Sequence, residues 1–78
     1  MDYIVVLITA PNEDEAVKIS KILVEEKLAA CVNILKDIRS IYFWQGKIED
    51  EQEVLMIVKT KSELFEELEK KVKSLHSY

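Results

Sequence analysis

The chain has one cysteine and one histidine, and these are its least replaceable groups chemically. A thiolate is a nucleophile and a soft metal ligand, and a neutral imidazole ligates Cu(II) or Zn(II). Cys31 stands in "LAACVNIL" (28–35), an apolar run interrupted by Asn33, and His76 stands in the closing "HSY" (76–78). Each also has a plainer reading. A cysteine flanked by Ala29, Ala30 and Val32 is expected to pack as a small hydrophobe. A histidine at the end of a helical pattern is expected to be a solvent-exposed cation favoured by the helix dipole. One thiol forms neither an internal disulfide nor a Cys-x-x-Cys loop. One imidazole makes a poor metal site by itself, so useful affinity requires donors converging from neighbouring copies or from a further segment, and the ions favoured are divalent.

A second group of residues invites binding chemistry. Tyr42, Phe43 and Trp44 follow Ile41 on a strand-like run and are expected at an interface, where aromatic side chains are enriched. Glu49, Asp50, Glu51 and Glu53 lack the ligand spacing and glycine of a calcium loop and read as a charged hairpin arm. Lys59-Thr60, at a strand-to-helix junction, offers either an anion site with the next helix N-terminus or a plain cap, and the cap is the expectation.

The elements that must position these residues follow from periodicity. "YIVVLITA" (3–10) is a continuous β-branched run, expected as a strand covered on both faces. Pro11 breaks it, and Asn12 with Glu15 forms a capping box for a helix whose buried stripe is Ala16, Ile19, Leu23 and Leu28. Residues 30–44 read as one long strand in two pieces, with a bend or bulge at Lys36-Asp37. "QGK" (45–47) supplies a hairpin turn, and "VLMIVK" (54–59) is the returning strand. Thr60 with Glu63 offers a second capping box, ahead of a helix with a Leu64, Leu68, Val72, Leu75 stripe and Glu-to-Lys pairs four residues apart. The order strand, helix, strand, strand, helix is most of an α+β, ferredoxin-like βαββαβ unit, with its last strand missing and with strands one and two parallel.

Composition narrows the function. At 78 residues the chain is a single small domain, 49% hydrophobic and 33% charged, enough for a packed core. Its net charge of -4 provides no positive field for nucleic acid or anionic membrane, and no stretch suits a signal peptide or membrane span, so a cytoplasmic location is expected. An enzyme of acylphosphatase type needs a glycine-rich, arginine-bearing phosphate loop, whereas this chain has one glycine and places Arg39 in a strand. An RNA-recognition domain needs basic residues around its stacking aromatics. A non-enzymatic binding or scaffold protein remains.

Taken together, "TAPNEDEA", "EEKLAACVNI", "IYFWQGKIEDEQEVLMIVKT" and the terminal "HSY" resemble the divalent-cation tolerance protein CutA family over essentially all 78 residues. The resemblance implies a cytoplasmic homotrimer of ferredoxin-like subunits with PII-like architecture, implicated in copper and heavy-metal tolerance, and a chain that continues past residue 78 with a further strand and helix. It implies a metal-ion-binding or scaffold trimer that requires no cofactor and takes a divalent ion such as Cu(II) or Zn(II), with His76 and Cys31 as metal-ligand candidates. Asn33, Trp44, Lys59 and Tyr78 are the ligand-binding or interface candidates. Where some relatives carry an additional cysteine and a His-His pair, this chain has Ile8-Thr9 and Leu75-His76, which weakens any thiolate-rich Cu(I) site. The alternative is a PII-like signalling trimer binding a small molecule in an intersubunit cleft.

Overall fold

The computed structural model describes residues 2–76. Strand β1 (Tyr3–Ala10) stops at Pro11, and the Asn12 side chain caps helix α1 (Glu13–Glu25) by accepting a 2.8 Å bond from the Glu15 amide. Lys27, at φ 60°, turns the chain out of the helix, and the amides of Leu28 and Ala29 both return to the Leu23 carbonyl. Strands β2 (Cys31–Trp44) and β3 (Lys47–Lys61) follow, joined by Gln45-Gly46. Both turn residues have positive φ, 50° and 78°, the backbone of a tight two-residue hairpin. A single 3-10 turn (Ser62–Leu64) leads into helix α2 (Phe65–Leu75).

The sheet order is β1-β3-β2, with both pairings antiparallel. Strands β1 and β2 therefore run in the same direction, as expected of a strand-helix-strand crossover, with β3 between them. On β3, Val54, Met56, Val58 and Thr60 face the helices and meet Ala10, Ala16, Ile19, Leu23 and Leu68 in the core. Leu64, Val72 and Leu75 are half-buried, so the stripe expected of α2 holds with Leu68 at its centre.

Three expectations need correction. Strand β1 is covered on one face only: Tyr3, Val5 and Leu7 are exposed, because both helices lie on the other side of the sheet. Thr60 caps no helix. It belongs to β3, where the strand's alternation turns it inward, and its hydroxyl donates a 2.7 Å bond to the Leu28 carbonyl, while α2 starts after Leu64 without a side-chain cap. Lys71, expected to pair with Glu67, reaches Glu26 at the end of α1, 3.0 Å away, where the ion pair joins the two helices.

The bulge expected at Lys36-Asp37 is present. Leu35 pairs with Leu55 and Ile38 with Glu53, so β2 carries one extra residue there, and Asp37 takes φ 61°. The inserted residue reverses the alternation: Cys31, Asn33 and Leu35 share the helix-free face with Ile38, Ser40, Tyr42 and Trp44. Past the bulge, β2 and β3 form an arm that outruns the helices, in a molecule of 41 × 22 × 20 Å. On the arm's other face Arg39 clamps Asp50 with two bonds, Nε to Oδ1 at 2.8 Å and Nη2 to Oδ2 at 2.5 Å.

Thr60→Val leaves the buried Leu28 carbonyl without its donor, and should cost about 1–3 kcal/mol in urea denaturation, whereas Thr60→Ser keeps the hydroxyl donor and should retain most of the stability. A second expectation concerns pH. The hydrogen bond from Arg39 holds the Asp50 carboxyl below its ordinary range, outweighing the opposing effect of desolvation. Its folded pKa is thus depressed, so the pair's contribution is present above the unfolded value of about 3.9 and is lost as pH falls through the lowered folded value. A carboxyl-carbon NMR titration should show this depression, and Arg39→Gln should return Asp50 to the ordinary range.

Candidate functional site

The residues singled out for chemistry fall on two sides of the sheet. Cys31 and Asn33 lie on the helix-free face, with Cys31 Sγ 3.9 Å from Asn33 Oδ1. The expectation that Cys31 packs in the core fails for the chain as it stands: the thiol is exposed. Its apolar neighbours split across the pleat, Ala29 and Val32 turning toward the helices while Cys31 turns away. Lys59 pairs with Val5 on one side and Cys31 on the other, in the middle of the same open face. The strand runs on to Lys61, and α2 begins only at Phe65 on the opposite side, so Lys59 does not form an anion site with that helix end.

His76 stands elsewhere, and not in solvent as expected. It closes α2, its amide bonded to the Val72 carbonyl at 2.8 Å, and its side chain is only 10% exposed. Nε2 lies 2.6 Å from the Thr9 carbonyl, and Nδ1 faces Glu15 Oε2 at 4.0 Å. Extended backbone at His76 aims the ring back at β1 and α1 in place of continuing the helix. Glu15 and Thr9 were missed as its neighbours. Nothing local in the sequence links them to residue 76, since the contact depends on how α2 packs.

Tyr78 lies outside the described residues. Trp44 is 61% exposed, and with Tyr42, Glu49, Glu51 and Glu53 it lines a groove of about 550 Å³ along the arm. Desolvation, a hydrogen bond with Glu51 and the charges of Glu51, Glu49 and Glu53 together raise the Tyr42 phenol above its ordinary range. These carboxylates occupy alternate positions of one strand, with their backbones about 7 Å apart, and among the described residues they are not gathered into a metal-holding group. The arm's opposite face is apolar too, with Ile41, Phe43 and Ile48 exposed around the Arg39–Asp50 clamp.

As a metal centre, the set is incomplete within one chain. Among the described residues no group of three or more His, Cys, Asp or Glu side chains is arranged to hold a metal ion. His76 and Cys31 are not brought together. Two short helices were expected to leave part of the apolar face of the paired strands 34–58 uncovered, and Leu35 is exposed there; what sequence reasoning missed is that the open face extends over β1, where Tyr3, Val5 and Leu7 are exposed, with Leu55 and Ile57 half-buried between. The available signal was the count of helices, two short ones against three strands.

Comparison with known proteins bears on this arrangement. The family model described as CutA1 divalent ion tolerance protein matches residues 4–78. A divalent-cation tolerance protein CutA of Thermus thermophilus is 54% identical over 74 residues, covering 95% of this chain and 72% of the relative. One from Archaeoglobus fulgidus is 55% identical over 73 residues, covering 94% and 71%. Among solved structures, the Thermus thermophilus divalent cation tolerance protein superposes with a TM-score of 0.95 at 52% identity, covering 99% of this chain and 75% of that one. Names among the relatives differ in location: an Archaeoglobus fulgidus structure is called periplasmic, and an Arabidopsis thaliana relative chloroplastic. Among the described residues no helix is long and apolar enough to cross a membrane. With the family model matching residues 4–78, relatives more than 50% identical over most of their own length, and a solved structure of the same name superposing over 99% of the chain, the chain belongs to the CutA1 divalent ion tolerance protein family.

Proposed function

We propose that this chain acts in divalent-cation tolerance as a homotrimeric, non-enzymatic binding or scaffold protein of the cytoplasm, taking up cations where copies meet. The observation that carries the reading is the apolar surface the fold leaves uncovered: Tyr3, Val5, Leu7 and Leu35 on the open sheet face, and Ile41, Phe43 and Ile48 on the arm. Contiguous apolar surface of this kind marks an association site. The two patches are different surfaces, so an arm laid on a neighbour's sheet is a head-to-tail contact, and such contacts are satisfied throughout only when they close into a ring. Three copies is the number the family resemblance implies.

Divalent cations suit the exposed Cys31 thiol and the carboxylates that line the arm's groove, once several chains bring them together. The groove beside Trp44 presents three carboxylates, which opposes the alternative of a small anionic metabolite in an intersubunit cleft.

Sedimentation of the chain at micromolar concentration should give a trimer, and Trp44→Ala should weaken it by on the order of 2 kcal/mol, the usual cost of truncating a central interface aromatic. Cys31 supplies an independent reading. It should react rapidly with iodoacetamide in the dissociated Trp44→Ala chain and slowly in the assembled wild type. Calorimetric titration with Cu(II) and Zn(II) should show tighter binding to the trimer than to the dissociated variant. A stable wild-type monomer overturns the assembly, and equal metal affinity in the two states overturns intersubunit binding.

A further inference from the structure

We infer that His76 is a structural latch joining three elements and is not the ligand through which this chain holds a divalent cation. A backbone carbonyl only accepts, so the 2.6 Å contact with Thr9 makes Nε2 the donor, and that nitrogen has no lone pair left for a metal. Nδ1 faces Glu15, whose side chain is 18% exposed beside a ring that is 10% exposed. The ring thus ties the C-cap of α2 to the end of β1 and the first turn of α1, three segments distant in sequence and each at an element terminus.

A ligating imidazole commonly donates its second N–H to a carbonyl, as Nε2 does here. What this location lacks is the remainder of a coordination shell around Nδ1. Glu15 adds one carboxylate, giving two donor groups where Zn(II) takes four. Among the described residues no third His, Cys, Asp or Glu side chain joins them in a group that could hold a metal ion. The chain's thiol is on the far face of the sheet. The latch accounts for the near-complete burial of a polar ring at the end of a helix. A solvent-facing ligand would have no reason to be so enclosed.

The test separates latch from ligand with two variants of the full chain, compared with wild type at equal protein concentration. His76→Gln places an amide N–H near the position of Nε2 and retains a donor for Thr9, while His76→Ala removes it. His76→Ala should lower the thermal midpoint by about 5 °C, and His76→Gln by less than half of that. Calorimetric dissociation constants for Cu(II) and Zn(II) should stay within twofold of wild type in both variants. A tenfold weakening in His76→Gln, or an unshifted midpoint in His76→Ala, overturns the latch. If wild type binds neither ion, the cation reading above fails separately, and the thermal comparison still decides the role of His76.

Discussion

Everything in this fold depends on the pleat's period of two meeting helices on one side only. A strand shows alternate side chains to opposite faces, and two helices of 13 and 11 residues cover one face of a three-stranded sheet. Met56, Val58 and Leu68 are enclosed, while Val5 and Leu7, one residue out of phase with the half-buried Val6 and Ile8, stand in solvent. The bulge at 36–37 then decides which half of the arm continues which face. Without the extra residue Trp44 and Tyr42 would point to the helix side, and the groove with Glu49, Glu51 and Glu53 would not exist.

Where the sequence was legible, the determinants were local. Asn12 three residues before Glu15, the lone glycine between two β-rich runs, and a Lys-Asp pair interrupting an apolar strand each specify backbone over a few residues, and each appears where expected. The comparisons agree on the larger outline, the CutA1 family and its fold. Thr60 shows how a local signal is overridden. The same threonine that resembles a cap is drawn inward by strand alternation, because the Leu28 carbonyl, left over after α1 ends, needs a buried donor.

The candidate site was less legible, since its residues are defined by partners far along the chain. Cys31 sits among apolar residues in sequence, and alternation still places it on the uncovered face. His76 follows a helix and reads as exposed, while its surroundings are set by β1 and α1, which contribute Thr9 and Glu15 from the other end of the chain. Lys59, adjacent to a helix start in sequence, points away from both helices. In each case the missing information is which face of an element is turned inward, and this is fixed by packing of the whole chain.

The Gln45-Gly46 turn has a kinetic consequence. Strands β2 and β3 meet through Trp44 opposite Lys47 and pair outward from there, so each new contact closes only a small additional loop. Strand β1 has no such route: Tyr3 must find Lys61 across almost the whole chain. Hairpins form within microseconds, whereas pairing of distant segments is delayed by the entropy of closing a long loop. The long ribbon is thus the natural early template, and the first strand joins it late, carrying its uncovered Val5 and Leu7 into place as the last seam of the sheet.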